Sequence, residues 1–363
     1  MFFLLLIFTA IYIVFILFII SGLFRHNVLP ISNLDTLPFV SVIIAARNEE
    51  NNLPRLIVDL INQEYPLGKF EIIIINDRSY DSTQNILTEA SENYSFIKHI
   101  KIDKKSKHMT PKKNAIDRGI NEAKGELILA TDADCRVGPL WIASMAYSLI
   151  NKNGIIIGYS EIDDKKGTIF EKYQKIDFLA ILAANAGAAG WKHYWSGTGQ
   201  NLAYYKKDYL QIGGFEPVKN NLSGDDMYLV QTISRLKKGF VHIDPNSHVK
   251  TKPMKSIKEF INQRIRWSSN SKSNFKSTPV FFTFLLVSFF ENLLILFSII
   301  LFKQGYLIWG CKIALDGIIV LFGAKLFEKS FDIKTYLFWA ILQPFYIPLI
   351  GVLGLFNKFS WKK

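Results

Sequence analysis

Apolar stretches at the two ends of the chain constrain its fold more than any other feature. Residues 1–24 contain no charged side chain, and a helix of that length, at about 1.5 Å per residue, spans the roughly 30 Å of hydrocarbon in a bilayer. A cleaved signal peptide would have a basic start, a shorter apolar region and a small-residue cleavage site, and residues 1–30 have none of these. The stretch therefore predicts an uncleaved membrane anchor, and Arg25 and His26 behind it predict that the residues that follow lie in the cytoplasm.

Long apolar runs return near the C-terminus and predict three further membrane helices, over about 280–302, 306–327 and 335–356. Lys312 and Asp316 interrupt the second run and lie four residues apart, on one helical face where they can pair. Such a pair either links neighbouring helices or lines a pathway through the membrane. Pro344 and Pro348 indicate that the last segment is kinked or re-entrant.

The charge of the chain is concentrated between these stretches. The chain has a formal net charge of +12 but a mean hydropathy of +0.16, which excludes a disordered chain and a wholly soluble globule. The segment 25–278 keeps a net charge of +8, which favours anionic lipid head groups or an anionic substrate such as a nucleotide. The sequence has neither a zinc-binding pattern nor a nucleic-acid-recognition motif, so we expect no nucleic-acid partner. The predicted parts are an anchor (1–24), a cytosolic domain (25–278), membrane helices (279–357) and a basic tail (358–363).

The middle of the chain alternates between buried strands and amphipathic helices. The β-branched runs 39–46, 71–75 and 127–130 predict strands that are buried on both faces. A helix with Asn48 as its cap is expected after the first strand, and another helix after Thr83. This order predicts an α/β fold with a mostly parallel sheet. Ligands bind beyond the carboxyl ends of such strands, so the polar residues there should converge on one crevice: Arg47, Asn48, Glu49, Asn76, Asp77, Asp132 and Asp134.

Two pairs of acidic residues are candidates for metal binding or catalysis. Asp132 and Asp134 follow a buried strand, and Mg²⁺ or Mn²⁺ commonly binds one or two carboxylates together with substrate phosphates. Many surface turns also carry such a pair. Asp225 and Asp226 precede an apolar helical stretch, where they either stabilise a helix N-terminus or supply a general base for a hydroxyl acceptor.

Aromatic and basic side chains form two further groups. Gln263, Arg264, Arg266 and Trp267 bring together groups that bind phosphate and stack on a sugar or base; the alternative is a basic helix that anchors to lipid head groups. Trp191, Tyr194 and Trp195 form either a sugar-stacking wall or a hydrophobic shelf at the membrane.

Together these residues resemble the family 2 glycosyltransferases, specifically the membrane-integrated branch that includes the cellulose, hyaluronan and poly-N-acetylglucosamine synthases. The resemblance covers about residues 38–267 and rests on the order and spacing of the motifs. It implies a GT-A fold, with a Rossmann-like, mostly parallel sheet, plus N-terminal and C-terminal transmembrane helices.

The resemblance also assigns roles to individual residues. Asp226 corresponds to the catalytic base, with Asp225 in place of the usual Glu, and Asp134 corresponds to the metal ligand, supported by Asp132. Gln263, Arg266 and Trp267 match Gln-x-x-Arg-Trp and are expected to contact the acceptor or the diphosphate. The residues expected to bind the nucleotide donor are Arg47, Glu49, Asp77, Lys112 and Asp132.

The implied activity is that of a membrane-bound, metal-dependent, inverting glycosyltransferase of a bacterial inner membrane, with its catalytic domain in the cytoplasm. It would use Mg²⁺ or Mn²⁺ and a nucleotide-sugar donor, with UDP as the expected nucleotide, and a lipid-linked or polysaccharide acceptor. The alternatives are a phosphoglycosyl or nucleotidyl transferase, or a non-catalytic membrane transporter or scaffold that binds sugar nucleotides.

Overall fold

The computed structural model describes residues 1–29, 31, 37–301 and 304–356. The predicted basic tail, 358–363, lies outside these residues. The described chain forms two compact units, which interleave along the sequence. One unit contains Asn27–Glu161 and Ser196–Lys252, and the other contains the described residues of Met1–His26, Ile162–Trp195 and Pro253–Lys363. Contacts therefore group a segment from the middle of the chain with the terminal helices, whereas the composition divides the chain at residues 24 and 278.

The described strands form two sheets, one of seven strands in the order β3-β2-β1-β4-β8-β6-β9 and one of three in the order β5-β10-β7. β1 pairs in parallel with β2 on one side and with β4 on the other, and in the described part of the large sheet β8 alone runs against the rest. The predicted mostly parallel α/β sheet is confirmed. The strands are β1 (Val40–Ala46), β2 (Phe70–Asp77), β3 (Ile97–Ile102), β4 (Leu127–Ala130), β5 (Arg136–Val137), β6 (Ile155–Gly158), β7 (Ser160–Ile162), β8 (Leu202–Tyr205), β9 (Gly239–His242) and β10 (Val249–Thr251).

The helices divide between the two units. Those of the sheet unit are α2 to α5, α7 and α8, and the rest belong to the other unit. The helices are α1 (Phe2–Leu23), α2 (Leu53–Ile61), α3 (Thr83–Asn93), α4 (Pro111–Glu122), α5 (Trp141–Lys152), α6 (Ile169–Gly190), α7 (Lys206–Gln211), α8 (Asp225–Leu236), α9 (Ile257–Ser268), α10 (Ser271–Ser277), α11 (Pro279–Leu301), α12 (Gln304–Leu326) and α13 (Ile333–Leu355).

The predicted cap of α2 is wrong. The helix begins at Leu53, with Asn52 at its N-cap position. Asn48 instead has a φ of 53°, a left-handed conformation that Asn adopts more readily than most residues. Its Oδ1 accepts a hydrogen bond from the backbone N–H of Tyr80 at 3.0 Å. Asn48 therefore joins the loop after β1 to the loop after β2.

Four helices in the described chain are long and apolar enough to cross a membrane: Phe2–Leu23, Pro279–Ile299, Gly305–Leu326 and Ile333–Leu355. These match the expected segments. α13 continues through Pro344 and Pro348 as one helix, so it is not a re-entrant pair.

Polar side chains link these helices in the way expected of interhelical contacts. Lys312 Nζ lies 2.5 Å from Asp316 Oδ2 on α12, and the hydroxyl of Tyr12 on α1 donates to Asp316 Oδ1 at 2.6 Å. Thr9 on α1 also donates to Glu291 Oε1 on α11 at 2.9 Å. Since burying an unpaired charge is costly, these contacts favour one arrangement of the three helices.

Helix α6 packs closely against α1 through glycines. A Cβ atom at Gly187 would lie 2.4 Å from the carbonyl oxygen of Ile19, and one at Gly22 would lie 1.8 Å from the carbonyl oxygen of Gly187. Glycines at these positions let the two backbones approach, as in small-residue contacts between membrane helices.

The aromatic residues that follow α6 form a hydrophobic shelf. Trp195 is buried and stacks on Phe281 and Phe284 of α11, with ring centroids 5.0 Å apart in both pairs. Trp191 stacks on Phe18 at 6.2 Å, and the guanidinium of Arg25 lies 3.7 Å from its ring centroid. Since Trp and Arg are typical of the membrane interface, the shelf is the alternative that these contacts favour.

A buried ion pair holds α9 in the same unit. Both Arg264 and Asp177 are 4% exposed in their side chains, and Arg264 Nη2 lies 2.8 Å from Asp177 Oδ2. Trp339 Nε1 of α13 donates to Asp177 Oδ1 at 2.9 Å. One carboxylate on α6 thus connects α9 and α13.

The Arg264→Met variant should lower the free energy of unfolding by about 3–5 kcal/mol, because it leaves a buried carboxylate without its counter-ion. Thermal unfolding of the full chain in detergent measures this. The control is Lys250→Met, which removes a side chain that is 57% exposed and 3.9 Å from Glu161, and such surface pairs contribute about 0–1 kcal/mol. Equal melting temperatures for the two variants would contradict the structural role of the pair.

Gly187→Ala should also destabilise the protein, since its Cβ has no room against the backbone of Ile19. Gly310→Ala on α12 is the matched control, because a Cβ at Gly310 meets nothing within 4 Å and Ala favours a helix over Gly by about 1 kcal/mol. The same thermal assay should give a lower melting temperature for the first variant and an unchanged or higher one for the second. A lower melting temperature for Gly310→Ala than for Gly187→Ala would contradict the close packing of α1 against α6.

Candidate functional site

The carboxyl ends of β1, β2 and β4 lie side by side at one edge of the large sheet. Hydrogen bonds join the loops that follow the first two strands. The N–H of Asn48 donates to Ser79 Oγ at 2.9 Å, and the N–H of Glu49 donates to Thr83 Oγ1 at 2.8 Å. The loops after β1 and β2 therefore lie together, and the pairing of β1 with β4 brings Asp132 to the same edge as Arg47 and Asp77.

Asp77 is held at the end of β2 by its neighbour. Asp77 is buried, and the guanidinium of Arg78 donates a hydrogen bond to each of its carboxylate oxygens, with Nε 2.7 Å from Oδ1 and Nη2 2.9 Å from Oδ2. Arg78 adopts a φ of 57°, which turns the chain at this point. Sequence reasoning gave Arg78 no role, although a basic residue beside a buried acid was a usable signal.

Arg47 and Glu49 differ in how their polar atoms are used. Glu49 is buried, and its Oε2 accepts a hydrogen bond from Asn52 Nδ2 at 2.5 Å, within the turn that leads into α2. Arg47 Nε is buried and has no hydrogen-bond partner in the described part of the chain. A buried donor without a partner is costly, so Arg47 is the better candidate to contact a ligand directly.

The predicted metal ligands follow β4. Lys112 Nζ, from the first turn of α4, lies 2.9 Å from Asp132 Oδ1, and Cys135 Sγ lies 3.8 Å from Asp134 Oδ1. Thr131, directly before this pair, is buried, and its hydroxyl has no hydrogen-bond partner among the described residues. Within those residues no group of three or more His, Cys, Asp or Glu side chains could hold a metal ion.

Asp225 and Asp226 begin α8, after Gly224 with its φ of 81°. The N–H of Met227 donates to Asp226 Oδ1 at 2.7 Å, and the N–H of Gly199 donates to Asp226 Oδ2 at 3.2 Å. Lys112 Nζ lies 3.8 Å from Asp225 Oδ2. Lys112 therefore joins the acidic pair after β4 to the acidic pair on α8, although the two pairs are about ninety residues apart in sequence.

Burial and nearby charges shift two pKa values at the site. Burial, and then the nearby charge of Asp225, raise the pKa of Asp226 above its ordinary value. Burial alone would lower the pKa of Lys112, but the charges of Asp132 and Asp225 outweigh it, and the pKa is raised. Lys112 is thus a cation and Asp226 holds its proton more tightly than an ordinary aspartate.

The glycine-rich segment after residue 196 has two functions in the sheet unit. A Cβ at Gly199 would lie 3.7 Å from Lys112 Nζ and 3.7 Å from Asp226 Cβ, so this glycine lies against the acidic cluster. Asn201 is buried, accepts a hydrogen bond from Trp141 Nε1 at 3.0 Å and donates to the carbonyl oxygen of Ser247 at 2.8 Å. Its side chain is therefore committed to the fold, and it does not line an open pocket.

Gln263, Arg266 and Trp267 belong to α9, in the unit that contains the membrane helices. Arg264, which the sequence offered as a second phosphate ligand, is buried in its pair with Asp177 and is unavailable for that role. Its Nη1 also donates to Gln263 Oε1 at 3.0 Å, and its guanidinium carbon lies 4.1 Å from the centroid of the Trp267 ring. Arg264 therefore orients two of the three motif side chains.

Residues 41–217 match the family described as Glycosyl transferase family 2. A probable glycosyltransferase, YdaM, of Bacillus subtilis (strain 168) is 30% identical over 211 residues, which cover 55% of this chain and 50% of that protein. A β-monoglucosyldiacylglycerol synthase of Nostoc sp. is 37% identical over 102 residues, 28% of this chain and 21% of that protein. A poly-β-1,6-N-acetyl-D-glucosamine synthase of Staphylococcus epidermidis is 30% identical over 146 residues, 39% of this chain and 33% of that protein. The chain thus spans half or less of the length of these relatives.

A solved structure has the same fold along nearly the whole chain. The mannosyltransferase PcManGT from Pyrobaculum calidifontis, in complex with GDP-Man and Mn²⁺, superposes with a TM-score of 0.65 over 98% of both chains, at 17% sequence identity. The predicted GT-A fold and the predicted resemblance are confirmed: residues 41–217, just under half of the chain, match the glycosyltransferase family 2 domain.

Proposed function

We propose that this protein is a membrane-bound, metal-dependent, inverting glycosyltransferase. It transfers a sugar from a nucleoside diphosphate donor, expected to be UDP-linked, to a hydroxyl of a lipid-linked or polysaccharide acceptor. The observation that carries the proposal is the cluster in which Lys112 lies 2.9 Å from Asp132 and 3.8 Å from Asp225, next to Asp226. A diphosphate needs a cationic group such as Lys112, a metal ion needs a carboxylate such as Asp132, and an acceptor hydroxyl needs a general base such as Asp226.

The donor is bound at the carboxyl ends of β1 and β2. The proposed ligands of its nucleoside and phosphates are Arg47, Glu49, Asp77, Lys112 and Asp132. Arg47 supports this assignment through its unpaired Nε, which can donate to an oxygen of the donor. Asp77, fixed by Arg78, accepts from hydroxyl or N–H groups of the nucleoside.

Asp134, supported by Asp132, is the proposed holder of a divalent cation. The residues fit such an ion, because Mg²⁺ and Mn²⁺ are commonly bound through one or two carboxylates together with substrate phosphates. The Pyrobaculum protein contains Mn²⁺ and GDP-Man together. When bound, the cation neutralises charge on the diphosphate and makes it a better leaving group.

Asp226 is the proposed general base. It takes the proton of the acceptor hydroxyl while the oxygen attacks the anomeric carbon from the face opposite the diphosphate. The bond between the sugar and the phosphate oxygen breaks, and the nucleoside diphosphate leaves with the electron pair. The hydrogen bonds from Gly199 and Met227 hold the carboxylate in place, and the charge of Asp225 keeps it basic.

The proposed acceptor is a lipid-linked molecule or a polysaccharide. The Nostoc relative is named for a glucosyldiacylglycerol and the Staphylococcus relative for a polysaccharide, and helices long enough to span a bilayer flank the domain. Gln263, Arg266 and Trp267 are the proposed contacts to the acceptor or the diphosphate. The basic flank of α1 orients the domain toward the cytoplasm, in a bacterial inner membrane.

Membranes that contain the full chain, incubated with a panel of labelled UDP- and GDP-sugars, test the proposal. Release of a nucleoside diphosphate together with a labelled lipid or a labelled polymer supports it, and the partition of the label identifies the acceptor class. Release of the nucleoside monophosphate or of pyrophosphate would indicate a phosphoglycosyl or nucleotidyl transferase instead. Nucleotide binding without turnover would indicate a scaffold.

Asp226→Asn should lower the transfer rate by about 10²–10⁴-fold, the usual contribution of a general base, and should leave nucleotide binding intact. The matched control is Asp103→Asn, because Asp103 is 70% exposed and pairs with Lys101. Sugar transfer and nucleotide affinity are measured on both purified variants. An Asp226→Asn variant that keeps most of the wild-type rate would exclude Asp226 as the base.

The pH dependence of kcat/KM should reflect the raised pKa of Asp226. The base works only when it is deprotonated, so the rate should fall as the pH drops through a pKa of about 6. Asp225→Asn removes the neighbouring charge, lowers the pKa of Asp226 and should move the acid limb to lower pH. A profile that is the same for Asp225→Asn and wild type would contradict this coupling.

A further inference from the structure

A divalent cation bound to Asp132 would compete with the ammonium of Lys112 for the same carboxylate. Its ammonium is 2.9 Å from Asp132 Oδ1 and also faces Asp225. The side chains of Lys112 and Asp132 are 29% and 26% exposed, so ligands and ions can reach the pair. One lysine therefore serves as counter-ion for a proposed metal ligand and for the proposed catalytic pair.

We propose that Lys112 is an internal counter-ion that keeps a free divalent cation off Asp132 until a nucleoside diphosphate binds. This inference rests on the proposed function and extends it to the order in which the ligands bind. A cation that arrives alone and takes Asp132 as a ligand beside Asp134 must displace the ammonium from Asp132. The described residues offer it no third His, Cys, Asp or Glu ligand in return.

A bound diphosphate weakens the contact between Lys112 and Asp132, and it strengthens the binding of the cation. Its oxygens accept charge-assisted hydrogen bonds from the lysine, which draws the ammonium away from Asp132. The same oxygens supply further ligands for the cation. Nucleotide and cation therefore strengthen each other's binding, and by linkage the strengthening is reciprocal.

The test measures binding of Mn²⁺ by electron paramagnetic resonance, on the purified full chain, with and without UDP or GDP. Wild type should bind Mn²⁺ weakly alone and more tightly with the nucleotide. Lys112→Met and Lys112→Gln, which both remove the charge, should bind Mn²⁺ alone about tenfold more tightly, within the range typical of coupled sites. The strengthening by the nucleotide should shrink in both.

Two variants separate the charge of Lys112 from other effects. Lys112→Arg keeps a cation and should bind Mn²⁺ as weakly as wild type. Lys98→Met removes a comparable ion pair, 2.6 Å from Glu71 Oε2, at the opposite end of β2, and should change nothing. Thermal unfolding confirms that each variant is folded, and the two neutral variants provide independent readings.

Folded neutral variants that bind free Mn²⁺ no more tightly than wild type would overturn this inference, even if Mn²⁺ and nucleotide still bind together. A gain in Lys112→Arg equal to that in Lys112→Met would overturn it as well, because the charge would then be irrelevant. Failure of wild type to bind Mn²⁺ with either nucleotide would instead overturn the proposed metal-dependent function itself.

Discussion

The parallel pairing of β1 with both β2 and β4 is the constraint on which the candidate site depends. Since the three strands run in the same direction and are hydrogen-bonded side by side, the chain leaves each of them at the same edge of the sheet. Asp77 and Asp132 reach that edge from strands that are about fifty residues apart in sequence.

The sequence predicted the central strands because they are continuous apolar runs, and it missed the peripheral ones for the opposite reason. β3 mixes isoleucine with lysine and histidine and is an outermost strand of the sheet, so it lacks the signal of a strand buried on both faces. β8 runs antiparallel between β4 and β6, and no local pattern gives that direction. The grouping of α6 with α1 depends on glycines that allow backbone contact. In the sequence, glycine within a helix indicates lower helix stability and does not predict a contact between helices.

The acids of the candidate site and Lys112 were predicted individually, whereas the contacts between them were not. Asp132, Asp134, Asp225 and Asp226 stand out because each pair adjoins an apolar segment, after a strand or before a helix. Their partners are brought in by tertiary structure: Gly199 reaches Asp226 across 27 residues and Lys112 reaches Asp132 across 20. The motif assigns its arginine position to Arg266, and the structure adds that the neighbouring Arg264 is held in an ion pair with the buried carboxylate of Asp177.

The position of Lys112 runs against the electrostatics of its own helix. Lys112 and Lys113 lie in the first turn of α4, where the partial positive charge of the helix N-terminus disfavours cations by about 0.3–1 kcal/mol each. Asp225 and Asp226, by contrast, lie in the first turn of α8, where the same effect favours them. The carboxylates are therefore stabilised by their own helix, while the lysine depends on the carboxylates. A ligand with more negative charge than Asp132, such as a diphosphate, can take the lysine from Asp132 without disturbing α8, because the acids of α8 keep the support of their helix.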